Sequence, residues 1–112
     1  MREGDRSPWG KIQHVTVLAP GAWSVSTAGH GGIKLDAARN RKVPALVRGE
    51  RGWYEEDCDW AIPAFVHKDV GDVLLARARK ADPEKFGESY IAECLQRWQT
   101  EEELKALGLG KN

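Results

Sequence analysis

Two short runs of this chain carry the residue types that do chemistry. The first is Gly29-His30-Gly31-Gly32. Glycines around a histidine let the backbone approach a ligand closely and aim successive N–H groups at an anion. The histidine itself can serve as acid, base or metal ligand. If an anion sits there, Gly29, Gly31 and Gly32 are the donors. The competing structural reading is a hairpin turn that needs positive φ, with His30 exposed or bonded to backbone, and it is the commoner use of such a run. The GxxxxGK[ST] spacing of a P-loop is absent.

The second run is Glu55-Glu56-Asp57-Cys58-Asp59. Carboxylates this dense repel one another unless something compensates. They could hold a hard cation such as Mg²⁺, grip arginines of a partner, or, with His30 as base, orient Cys58 as a nucleophile. The structural alternative is a helix N-terminus, whose dipole stabilises acids, with Cys58 packed as a small hydrophobe. A nucleophilic Cys58 meets an electrostatic objection, because adjacent carboxylates disfavour the thiolate. Trp23, Trp53 and Trp60 bracket both runs. Trp23 and Trp60 read as core and Trp53 is open. Trp98 fits an apolar helix stripe, and Trp9 lies in a polar leader. His14 and His67 are lone histidines at strand positions, where structural roles outnumber ligand roles.

These runs must be positioned by elements that the pattern predicts. Residues 12–19 read as a strand with Val15 and Val17 on one face. Pro20-Gly21 turns the chain, residues 22–28 alternate as a half-buried strand, and Ile33-Lys34-Leu35 is a third strand. Asp36 caps a short helix that stops before Pro44. Acids favour a helical turn around Glu55–Trp60, Pro63 forbids a long helix, and 64–66 can return as a strand. Asp69 caps a helix carrying Val70, Val73, Leu74 and Ala78. A second helix is predicted from Asp82 as cap and Pro83 at its first position, with Phe86, Tyr90, Ile91, Cys94, Leu95 and Trp98 on its apolar face. Thr100 and Glu103 form a capping box for a third, which ends at Gly108 in a Schellman stop with Leu109 folding back. The sum is an α+β domain over residues 1–112: a flexible leader at 1–10, a sheet-rich region at 12–67 with a meander of three or four strands, and a helical region at 69–108 packed against it.

Composition narrows the function classes. With 112 residues, 41% of them apolar, the chain suits one small domain. Seventeen basic and seventeen acidic residues cancel, which argues against a disordered tail and a basic nucleic-acid module. Residues 1–50 are nonetheless net basic and residues 51–112 net acidic. No run is long and apolar enough to cross a membrane, the first residues do not read as an export signal, and Cys58 and Cys94 are expected as reduced thiols. The expected location is the cytoplasm of a bacterial host.

Three segments together resemble a known family: Pro8-Trp9-Gly10 through Gln13-His14-Val15, then Ser26 through Leu35, then Trp53 through Ala61. The resemblance is to a small domain of phages, plasmids and integrated mobile elements, catalogued as of unknown function. Its hallmark is a Ser/Gly-His-Gly-Gly turn followed by a Trp-x-Glu-Glu-Asp-Cys segment. It covers residues 8–68, with Gly29 where the family usually has serine. The resemblance implies a mobile-element context, in which small proteins often inhibit host defence. The expected function is therefore protein–protein binding, as an inhibitor of a host-defence nucleoprotein complex of anti-CRISPR or anti-restriction type. Glu55, Glu56, Asp57, Asp59 and Trp53 would form the contact. The alternative is a small hydrolase or nucleotide- or anion-binding domain centred on His30 with Asp57 and Cys58. A third reading has His30 bond the acidic turn and pin the hairpin to it. No metal, cofactor, direct nucleic-acid contact or membrane contact is expected.

Overall fold

A computed structural model describes residues 1–110. The chain opens with a small antiparallel hairpin, β1 (Arg6–Ser7) and β2 (Gly10–Lys11). The main sheet follows: β3 (His14–Ala19), β4 (Ala22–Ser26), β5 (Gly31–Leu35) and β6 (Trp53–Glu55), antiparallel and adjacent in that order. Helices α1 (Ala37–Arg41), α2 (Ala61–Val66), α3 (Lys68–Ala81), α4 (Tyr90–Trp98) and α5 (Glu101–Ala106) complete the fold. The helices pack on the sheet, so the α+β class holds.

Strand alternation gives the sheet two unlike faces. One carries Ala22, Ile33, Leu35 and Tyr54 and joins Ile62, Val70, Ile91 and Leu95 of the helices in the main core. Register places Val17, Trp23, Lys34 and Trp53 in a row on the other face, and Val15, Val25, Gly32 and Glu55 in the next. Val25 and Ile12 are each 2% exposed but lie outside the main core. The N-terminal hairpin covers them. Gly4 N–H donates to the Ile12 carbonyl and Ile12 N–H to the Asp5 carbonyl, both at 2.9 Å, and Trp9 meets Trp53 edge-on at 5.5 Å. The leader expected over residues 1–10 is thus a folded cover on the sheet's second face, and its cause is the apolar anchor that Trp9 supplies.

Several boundaries differ from the sequence expectation. Val15 and Val17 share a face, but it is the outer one, and Val17 is 62% exposed. A register break between Val17 and Ala19 turns Leu18 and Ala19 inward instead. Residues 64–66 are helical, because Pro63 sits in the first turn of α2, where its missing N–H costs no bond. His67, not Asp69, is the N-cap of α3. Asp82 ends α3 rather than opening α4. The Arg79 Nε donates to the Phe86 carbonyl at 2.7 Å and holds the 82–89 segment back against α3, so α4 begins only at Tyr90. Trp98 lies in line with Ile91 and Leu95 but past the end of the core, and is 59% exposed. The other three capping signals hold. Asp36 accepts from Arg39 N–H, the Thr100–Glu103 box is complete, and Leu109 N–H closes on the Leu104 carbonyl at 2.8 Å beyond Gly108 at φ 83°.

One arginine ties these parts together. Arg39 Nε donates to the Pro20 carbonyl at 2.7 Å, in the β3–β4 turn. Its two terminal nitrogens reach Asp69 on α3 at 2.9 and 2.7 Å. Its backbone carbonyl accepts from Nε2 of the buried His67 at 2.9 Å, which fixes the Nε2–H tautomer because a carbonyl only accepts. The Arg39 guanidinium holds the Asp69 carboxyl well below the usual range, at about 2. That contribution to stability is complete above the ordinary aspartate pKa near ~4 and is lost as pH falls through about 2. Asp69 is half exposed, so solvent screening keeps the effect small. In urea titrations Asp69→Asn is expected to cost about 0.5–1 kcal/mol above roughly pH 4, with the gap from wild type closing on acidification.

Candidate functional site

The two chemistry-bearing runs meet at one end of the sheet. Gly31 and Gly32 lie not in the turn but in β5, between β4 and β6. Neither they nor Gly29 has positive φ. What β5 needs there is the absence of a side chain: a Cβ on Gly32 would strike the Tyr54 carbonyl and the Trp9 ring, and one on Gly31 would meet the Val25 carbonyl at 2.8 Å. Gly29 is exposed with open space around it. The loop Thr27–His30 closes on itself. Thr27 N–H and Oγ1–H both donate to the His30 carbonyl, at 2.8 and 2.9 Å, and His30 N–H returns a bond to Thr27 Oγ1 at 3.2 Å.

The acidic run straddles a strand end and a turn. Glu55 is the last residue of β6, and Asp59 N–H donates back to its carbonyl at 3.0 Å. The expected helical turn therefore exists as a single hydrogen-bonded loop, with the first residue in strand. Glu56 N–H donates to the Gly31 carbonyl at 2.9 Å. Gln99 Nε2 donates to the Cys58 carbonyl at 3.4 Å. Trp60 stacks on Tyr90 at 6.2 Å, and Tyr90 meets Phe86 edge-on at 4.7 Å. The turn is thus held by the sheet on one side and by α4 on the other.

This brings His30 to the acids. Its Nδ1 lies 3.4 Å from Glu55 Oε1, with the His30 side chain 54% and the Glu55 side chain 33% exposed. One ligand atom each of His30, Glu55 and Asp57 lies within 4.8 Å of the others, a donor set of the kind that can take a divalent cation. Cys58 is not part of that set. It is half-buried, and burial first, then the charges of Asp59, Glu55 and Asp57, push its thiol pKa up. Asp59 is half-buried and raised as well, by burial first, although the Cys58 thiol donating to it works the other way. Glu56 and Asp57 are exposed.

Trp53 stands two residues up the strand from Glu55, in a different environment. Lys34 Nζ lies 4.8 Å from its ring centroid, and Trp9 covers one edge. The outer face of the sheet is therefore acidic at the Glu55 end and basic at the Trp53 end. The sequence does not announce this role of Trp9: Gly32, whose Cβ would strike its ring, is needed just as much by the Tyr54 carbonyl.

A protein-family model described as "Domain of unknown function (DUF7007)" matches residues 2–106. No curated protein and no solved structure matches the chain.

Two measurements check this geometry. In a Cys94→Ala background, alkylation of Cys58 by iodoacetamide is expected to be slow at neutral pH and to rise only at a pH above that of an ordinary thiol. Ordinary thiol reactivity at pH 7 contradicts the environment described. Gly32→Ala is expected to destabilise the domain by about 1–3 kcal/mol through overpacking, whereas His30→Ala, which removes a half-exposed pair, costs less than about 1 kcal/mol. Chemical denaturation reads both.

Proposed function

The chain belongs to this family, and from that premise we propose that it is a non-enzymatic protein-binding domain whose acidic turn docks on a basic surface of a partner. The observation that carries this reading is the state of the carboxylates. Glu56 and Asp57 are exposed and Glu55 is half-buried, and among the described residues the only ion pair on the turn is His30 with Glu55. An exposed anionic patch on a rigid support steers and orients a cationic partner. Its support is rigid because strand pairing and the aromatic stack fix both ends.

The His30–Asp57–Cys58 hydrolase is the weaker reading. A nucleophilic cysteine needs its thiolate favoured, and here burial and three carboxylates oppose it. The partner class follows from the resemblance described above: a nucleoprotein complex of bacterial host defence. Such complexes carry basic surface meant for nucleic acid, and an acidic turn could occupy it in place of phosphate.

The test uses Glu56→Lys with Asp57→Lys, which leaves the Glu55–His30 pair and the half-buried Asp59 in place. Wild type and variant, matched for folding by circular dichroism, are used to capture partners from host lysate, and the captured complex is then reconstituted from purified parts. The expected result is binding that weakens with salt and falls by about tenfold or more in the variant. Binding that is unaffected by charge reversal and by salt overturns the proposal.

A further inference from the structure

The turn between α1 and β6 holds the only non-glycine residue at positive φ among the described residues, Arg51, at φ 55° and ψ 20°. Left-handed backbone costs a residue with a Cβ about 1–2 kcal/mol and a glycine almost nothing. Glycines flank this position at Gly49 and Gly52, so the turn readily accepts them. The Arg51 carbonyl accepts from Lys34 Nζ, which draws a second cation in, and Lys34 in turn lies over Trp53. Burial first, then the Arg51 charge, lowers the pKa of the Lys34 ammonium. Among the described residues no carboxylate pairs with Lys34, Arg51 or Arg6.

Arg51 and Trp53 border a cleft. Arg6, Ser7 and Pro8 of the N-terminal hairpin face Glu50, Arg51 and Trp53 across a volume of about 360 Å³. Arg6 and Arg51 line this cleft without an ion-pair partner among the described residues, and an anion in it would supply one. Guanidinium forks match phosphate oxygens, and the Trp53 wall suits a flat ring. Glu50 is the one acid in the lining, and a carboxylate there would accept from ligand hydroxyls and amines while repelling bare phosphate. Inorganic phosphate has little to offer it, whereas a nucleotide brings hydroxyl and amine donors. The volume is at the small end of ligand pockets, about 300–1,000 Å³, which suits a single nucleotide unit.

We propose that this cleft binds a nucleotide, with its phosphate between Arg6 and Arg51 and its base against Trp53. The chemistry is the same whether the unit is a free nucleotide or one link of a single strand. The site begins two residues along β6 from Glu55, and it uses none of the acidic-turn carboxylates.

The full chain, ¹⁵N-labelled, is titrated with adenosine monophosphate, adenosine, inorganic phosphate and a short single-stranded deoxyoligonucleotide. The Trp53 indole N–H, assigned through Trp53→Phe, is the reporter. The expected result is a saturable shift with the monophosphate or the oligonucleotide that is at least about tenfold weaker for adenosine and for phosphate alone, the loss that follows when charge-assisted hydrogen bonds or the ring contact are missing. The tighter of the two nucleotide ligands identifies the source. Arg51→Gly is the decisive variant, because the backbone there favours glycine. It is expected to keep or raise the melting temperature while weakening binding about tenfold, and Arg6→Gln to weaken it likewise. The proposal is overturned by no saturable shift, by adenosine or phosphate binding as well as the nucleotide, or by Arg51→Gly and Arg6→Gln both binding like wild type.

Discussion

The architecture depends on Arg39. A four-stranded meander and a run of helices each satisfy their own backbone locally, but nothing in either dictates the angle between them. Arg39 supplies that constraint from the short helix α1, with its side chain on the β3–β4 turn and on Asp69 of α3 and its carbonyl on His67 at the α2–α3 bend. The bidentate geometry is directional as well as attractive, so it adds an orientation to the non-directional apolar packing of helices on the sheet. The apolar core fills the gap between the layers, with Tyr54 donating to Asn40 and binding α1 to β6.

Once the helices are seated, the acidic turn has no freedom left. It leaves β6, which is paired to β5, and enters α2, which abuts α3 and α4. The carboxylates therefore project from a fixed base. The same economy explains the glycines of the first run. Gly32 makes room for Trp9 and the Tyr54 carbonyl and Gly31 for the Val25 carbonyl, and His30 is left at the loop's end, beside Glu55.

Much of this was legible in the residues. The caps at Asp36, Thr100 with Glu103, and Gly108 were clear signals, because each acts within a few residues of itself, whereas Asp69 and Asp82 carried the same residue type at helix ends without capping the predicted starts. Strands β3 to β5 and the proximity of His30 to the acids also followed from local pattern and motif. What escaped depends on distance. Nothing near Asp69 announces a partner thirty positions earlier, and its position at a helix start reads equally well as a cap. Trp9 looks exposed until the outer face of the sheet is seen to need a cover. Trp98 has the correct period for the core, but period says nothing about where the core ends. Arg51 gives no sequence sign of its backbone conformation beyond its place in Arg-Gly-Glu-Arg-Gly.

The order of the sheet has a kinetic meaning. Every strand of β3 to β6 pairs with its neighbour in sequence, so the sheet can grow by zipping successive hairpins, with small loops to close at most steps. Helices α2 to α5 likewise follow one another along the chain. The contacts of the Arg39 side chain span 19 and 30 positions, so they close larger loops than the hairpins do and are costlier to form early. A chain that lost them would keep every hairpin of the sheet, since none of the strand pairings runs through Arg39.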